Sequence, residues 1–248
     1  MIVYYHFGFK TSINYQQIII YSITLDQILR DSKYSQLVKP FIASHGTETV
    51  LSIDLETLIR SQKDFLTDER IIAISLTFYN NGLQTELFIA NNDSVEEEDR
   101  LLNELDRFML EFKPSIIIGY NQCGYDIPLI RLKMRNRTYS RQLWNLKYFL
   151  SVAYCLDMMP VISDYLAALD GDYRFRKLSE VVIHEGFSHL PLDRKKSVVI
   201  KDGKNIGEVI EELWRSRSTE FLEYCRGDTR DVFTIFRDIF GSSEASKK

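Results

Sequence analysis

Cysteine is scarce in this chain of 248 residues, and the three present, Cys123, Cys155 and Cys225, are too widely spaced for a disulfide framework or a zinc-binding pattern. Reduced, mostly buried thiols are expected. The four histidines, His6, His45, His184 and His189, lack zinc-type spacing as well, which leaves them structural or exposed. No apolar run approaches the ~18 residues a membrane span requires, so no membrane association is expected. The start, Met1-Ile2-Val3-Tyr4-Tyr5-His6, has no basic segment followed by a long apolar stretch and a small-residue cleavage site; a cytoplasmic protein is the expectation. Basic residues are not in excess either. A net charge of −4 argues against a surface coated for long nucleic-acid tracts, while leaving room for a local site whose carboxylates are cancelled by bound cations. Internal repeats and low-complexity segments are absent too.

What is present is an ordinary globular composition, 45% hydrophobic and 27% charged, long enough to bury one good core. The chain is organised around Leu51-Ser52-Ile53-Asp54-Leu55-Glu56-Thr57. Its apolar and polar residues alternate as in a β-strand, which puts Ser52, Asp54 and Glu56 on one face and Leu51, Ile53 and Leu55 on the other. Two neighbouring carboxylates resist desolvation and repel each other, so on a buried strand they need a compensating cation. An all-oxygen site suits Mg²⁺ or Mn²⁺. The same segment fits an exposed edge strand with a solvated acidic face, and nothing within it separates the two readings.

Residues 1–47 are set apart as an N-terminal extension packed on the main domain. Strands are expected over 1–9 and 13–23, and an amphipathic helix over 25–41 ended near Pro40. A second strand over 71–79 turns through Asn80-Asn81-Gly82 into a third over 87–89, giving a meander. Asn92, Asp93 and Ser94 offer N-caps to a helix in which Leu101, Leu105, Phe108 and Phe112 recur at helical spacing. The acidic run Glu96, Glu97, Glu98 and Asp99 reads as that helix's N-terminus, favoured by the macrodipole, and not as a metal site. Pro114 stops the helix, and Ile116-Ile117-Ile118 is a buried parallel strand returning beside the first. This order defines an α/β arrangement with a mixed sheet. The small, polar tail 241–248 is expected to fray.

The Ile116 strand runs into Gly119-Tyr120-Asn121-Gln122-Cys123-Gly124-Tyr125-Asp126, which delivers a third acid to a strand's carboxyl end, where open α/β sheets bind ligands. Asp126 is equally a good N-cap. Near the C-terminus, Tyr224 and Asp228 lie one turn apart on a helix whose apolar face continues through Val232, Ile235, Phe236 and Ile239.

Asp-x-Glu-Thr on a strand, Gly-Tyr-Asn followed by Tyr-Asp, and Tyr-Cys-x-x-Asp on a helix, in this order, resemble the three exonuclease motifs of the DEDD superfamily in its tyrosine variant. The nearest likeness is to the 3′→5′ proofreading exonuclease domain of family-B DNA polymerases. Asp157, residues 177–182 and Trp214 add secondary matches, and the likeness covers about residues 48–240. It implies an α/β, RNase H-like (DnaQ-like exonuclease) fold, a mixed central sheet flanked by helices. It further implies two divalent metal ions, Mg²⁺ or Mn²⁺, held by Asp54, Glu56, Asp126 and Asp228, with Tyr224 positioning the attacking water. Asn121 would touch the terminal nucleotide and Thr57 closes the first motif. Asp231 is left outside the metal set, because the Tyr-x-x-x-Asp spacing selects Asp228.

The basic residues after the second motif, Arg131, Lys133, Arg135, Arg137 and Arg141, read either as a wall tracking a substrate backbone or as a solvated helix face. The expected activity is metal-dependent hydrolysis of single-stranded DNA, or of frayed and mismatched 3′ ends, to mononucleotides. RNA 3′ ends, or an inactive nucleic-acid-binding scaffold, are the alternatives, and replication or repair proteins are the expected class of protein partner. The chain departs from the family in being too short to hold a polymerase: Asp170-Gly171-Asp172 reads as a turn and not as a polymerase acid pair. An exonuclease standing alone is therefore expected. Residues 197–204 resemble the first half of a hairpin, read as a plain surface hairpin in preference to a strand-separating one.

Overall fold

The structure, a computed structural model, describes residues 33–58, 69–136, 143–194 and 206–241. The strands expected over 1–9 and 13–23, the start of the first helix, the hairpin at 197–204 and the tail 242–248 lie outside the described residues.

Five strands form one sheet in the order β3-β2-β1-β4-β5. The acid-bearing strand β1 (Val50–Leu58) is its centre, which removes the edge-strand reading. It pairs antiparallel with β2 (Arg70–Tyr79), which returns through a turn at Asn81 and Gly82 into β3 (Leu83–Ile89). The meander is as expected, with β3 starting four residues earlier than its apolar core suggests. On the other side β1 runs parallel to β4 (Ile116–Gly119), and β4 parallel to β5 (Tyr154–Asp157). Ile116, Ile117 and Ile118 are fully buried because both faces of this strand are covered.

Helix α1 (Lys33–His45) runs through Pro40, whereas the sequence ends it there. The carbonyl that loses its partner belongs to Gln36 on the exposed side, where water can satisfy it, and the next residues, Phe41 and Ile42, pack on the core. Helix α2 (Val95–Phe112) begins at Ser94, whose hydroxyl accepts from the Glu97 N–H, and stops at Lys113 in the left-handed region just before Pro114. Then follow α3 (Asp126–Asn136), α4 (Trp144–Val152), α5 (Met158–Asp170), α6 (Leu178–Val182), α7 (Ile206–Arg215) and α8 (Thr219–Phe240). Asp170-Gly171-Asp172, expected as a turn, is the end of a helix: Asp170 is the last residue of α5 and Gly171 its left-handed C-cap.

Two apolar clusters sandwich the sheet. One gathers Leu51, Ile53 and Leu55 with Leu101, Leu105, Ile130, Leu146 and Trp214; the other joins Val50, Ile116 and Ile118 to Ile162, Phe233 and Phe236. The period of two along β1 thus sends Leu51, Ile53 and Leu55 to one layer and Ser52, Asp54 and Glu56 to the other. Among the described residues no helix is long and apolar enough to cross a membrane.

Candidate active site

Asp54 and Glu56 stand half-buried on the face of β1 that meets α8. A register shift between Glu56 and Thr57 breaks the ladder with β2 at this point, and such bulges re-aim side chains beside functional sites. Asp228 comes from α8, whose height over the sheet is set by the next residue. The buried Thr229 hydroxyl lies 2.9 Å from Ser75 Oγ and 2.8 Å from Thr77 Oγ1, and Ser75 is the cross-strand partner of Asp54. The clamp therefore puts Asp228 beside Asp54. Ligand oxygens of Asp54, Glu56 and Asp228 all lie within 4.8 Å of one another.

That concentration of negative charge acts on its neighbours. Glu56 first, then burial, Asp228 and Asp54, hold the Tyr224 phenol far above its ordinary value, so it stays protonated. Burial, with help from the same three acids, does likewise to the Cys225 thiol. Carboxylate oxygens close together and otherwise mutually repulsive are the donor set of a hard divalent cation.

The second motif is built into the carboxyl ends of β4 and β5. Gly119 lets β4 approach β1, since a Cβ there would stand 2.7 Å from the Ile53 carbonyl oxygen. Gln122, fully buried, donates from Nε2 to the carbonyls of Ile117 (2.9 Å) and Leu156 (2.8 Å), closing the fork between the two strands. Asn121 is left-handed, with φ 63°, and its Oδ1 folds over Gly124, where a Cβ would come within 2.7 Å of it.

Asp126 opens α3 but stands apart from the other three acids. Only 4% exposed, its Oδ1 accepts from the Leu55 N–H at 3.1 Å and so ties the second motif to the first. Burial raises its carboxyl to about 7, with the Leu55 hydrogen bond opposing and the Asp157 charge adding to the rise. Between about 4, where an unfolded aspartate ionises, and about 7, the folded protein keeps a proton that the unfolded chain has lost. Stability must then fall as pH rises through that window. In EDTA, the urea midpoint of the wild type is expected to decline from pH 4 to 7 relative to Asp126→Asn, whose amide oxygen still accepts from Leu55. Parallel declines would clear Asp126 of the effect.

The remaining residues singled out in the sequence fall as follows. Thr57 Oγ1 meets Tyr125 OH at 2.7 Å, and Tyr125 donates to the buried Glu69 at 2.8 Å. Arg131 is exposed, with one guanidinium nitrogen 2.9 Å from the Leu150 carbonyl. Lys133 cannot belong to a basic wall: it is buried, donates to the Glu69 carbonyl and pairs with Glu98 at 3.1 Å. Arg137 and Arg141 lie outside the described residues. Asp231 accepts from the Asp193 N–H at 3.2 Å, away from the acid cluster. His45 stacks on Phe41, His184 pairs with Asp170 and His189 with Asp238, all structural places. Gln122, Glu69 and the contacts of Asp157 went unread in the sequence; the one available signal was a polar residue, Asp157, at the carboxyl end of a parallel strand.

A mixed sheet with two acids on its central strand and a third on the helix crossing it defines the RNase H-like exonuclease fold. Comparison with known families agrees: the family described as DNA polymerase family B, exonuclease domain matches residues 7–164, more than half of the chain. The chain belongs to this family of exonuclease domains. The matched span takes in the first two motifs, begins inside the segment set apart as an extension, and ends before Tyr224 and Asp228. The structure of the family B DNA polymerase from the hyperthermophilic archaeon Pyrobaculum calidifontis is similar, with a TM-score of 0.54 at 20% identity, over 77% of this chain and 24% of that one. This chain thus spans about a quarter of that polymerase's length. A search of curated proteins gave no match.

Proposed function

We propose that this chain is a metal-dependent 3′→5′ exonuclease that trims single-stranded DNA, and frayed or mismatched 3′ ends, to mononucleotides. The observation that carries the proposal is the meeting of Asp54, Glu56 and Asp228 beside Tyr224. These three acids, with Asp126 behind them, would hold two ions, Mg²⁺ or Mn²⁺. When bound, such ions lower the pKa of a water and neutralise charge on the leaving oxygen.

The chain's own groups then have separable tasks. Tyr224 orients the attacking water through its hydroxyl, since a phenol with an ordinary pKa near ~10 is a poor base at neutral pH. Asn121 meets the terminal nucleotide, Thr57 braces the end of β1 through Tyr125, and the exposed Arg131 faces the phosphates upstream. A paired end has to be opened first, at a cost of about a few kcal/mol that is least for a mismatch.

The test is a time course on a 5′-labelled oligonucleotide with Mg²⁺, with Mn²⁺ and with EDTA. A descending ladder with either metal, silence in EDTA, and faster trimming of mismatched than of matched ends are expected. Cleavage of a closed circular strand, or shortening from the 5′ end, would overturn the reading. In the same assay Tyr224→Phe is expected to trim about one to three orders of magnitude more slowly while Mn²⁺ binding is retained. A fall in Mn²⁺ affinity as deep as that of Asp228→Ala would place Tyr224 in the metal shell instead.

A further inference from the structure

Asp157 ends β5, and its carboxylate collects three backbone N–H groups. Oδ1 accepts from Met159 at 3.0 Å and from Asn121 at 2.9 Å, and Oδ2 accepts from Cys123 at 3.1 Å. The first of these is an ordinary N-cap bond to α5. The other two belong to a different segment, the loop between β4 and α3. Between them Gln122 plunges inward to the Ile117 and Leu156 carbonyls, so the loop is gripped at three successive residues. At the head of that grip sits Asn121, in a left-handed conformation that a side chain with a Cβ adopts only at a cost.

We infer that Asp157 is a positioning residue of the nuclease site, holding the Asn121 backbone so that its side chain meets the terminal nucleotide of the substrate. The inference rests on the exonuclease reading above. Capping alone does not account for the arrangement. A helix cap needs one side-chain oxygen, which serine supplies as well as aspartate, whereas the loop engages both oxygens of the carboxylate. Asp157 lies outside the cluster of Asp54, Glu56 and Asp228, and it acts through the main chain of Asn121 and Cys123.

Asp157→Ser separates the two roles, because it keeps the cap on α5 and is too short to hold the loop. On a single-stranded oligonucleotide with Mn²⁺, KM is expected to rise about tenfold or more while kcat changes less than about threefold, the pattern of a lost ground-state contact. The variant should still melt cooperatively, at a midpoint lowered modestly by the loss of two loop hydrogen bonds, its Mn²⁺ affinity should fall far less than that of Asp228→Ala, and the Asn121 and Cys123 amides should exchange with deuterium about tenfold faster or more. Should the serine variant unfold, Asp157→Asn decides: it keeps the bonds to Met159 and Asn121, opposes an amide NH₂ to the Cys123 N–H, and is expected to raise KM by a smaller factor. An active wild type with an unchanged KM in the folded variant overturns the inference alone, as does a joint fall of kcat and Mn²⁺ affinity. An inactive wild type overturns the exonuclease reading and this inference with it.

Discussion

Asp228→Ala is expected to slow nucleotide release by at least about 10³-fold, the scale lost when preorganised charge stabilisation is removed, while the protein still folds. The carboxylate sits on a helix whose core residues, Val232, Phe233, Ile235 and Phe236, lie about one to two turns further along it and keep their packing in the variant. What disappears is one of three acids converging within 4.8 Å. The same convergence makes the second half of the expectation: the folded variant should bind Mn²⁺ far more weakly than the wild type, because one of three converging oxygen donors is gone. Asp54→Ala should behave the same way. Asp231→Ala is the contrast, since Asp231 binds the Asp193 N–H inside the fold and its loss should lower stability and spare the rate. Wild-type trimming by either Asp228→Ala or Asp54→Ala, measured on the labelled oligonucleotide, would refute the assignment of the cluster.

The largest stability effect belongs to a residue away from the cluster. Glu98, 4% exposed, pairs with Arg70 at 2.8 Å and with the buried Lys133 at 3.1 Å, and accepts from the Ile71 N–H at 3.0 Å. Replacing it with alanine strands a buried ammonium and a buried backbone donor together. Breaking a buried pair from one side costs about 3–5 kcal/mol, far more than the intact pair contributes. Urea unfolding of Glu98→Ala should show a loss on that scale with an unchanged slope. Glu98→Gln, which keeps an acceptor for Ile71, should lose less, and the exposed Glu96→Ala far less. A loss within about 0.5 kcal/mol, the range of ordinary surface substitutions, would mean that Lys133 finds water instead.

Glu98 also marks where the sequence stops being legible. Its run of four acids reads as the start of α2, and it is that; helical spacing to Leu101 and Leu105 turns Glu98 inward, whereas its partners Arg70 and Lys133 lie far off in the chain and leave no local pattern. Lys133 had a local signal. Positions two apart on a helix differ by about 200° in heading, so Arg131 and Lys133 could not share one face. Strands β1 and β2, the meander and the parallel return of β4 followed from alternation and apolar runs, as did the shared face of Asp54 and Glu56, while Asp228 rested on the resemblance of its motif. The grip on the second motif was hidden, because Asp157 and Gln122 act on backbone groups, which look alike at every position. Pro40 misled because its cost depends on whether the freed carbonyl reaches water, a property of the packed molecule.

The hydroxyl of Thr229 that bridges Ser75 and Thr77 has a bearing on how the site could be charged and emptied. It is buried, it lies one residue from Asp228, and apart from the Arg226 carbonyl of its own helix at 3.4 Å its partners belong to the sheet. The third acid is thus anchored by the core, in contrast to zinc-finger domains, whose ligands assemble only as the metal folds the chain. Loading such a cluster would require no segment to fold and stripping it would let none unravel, so a chelator is expected to empty the site without melting α8.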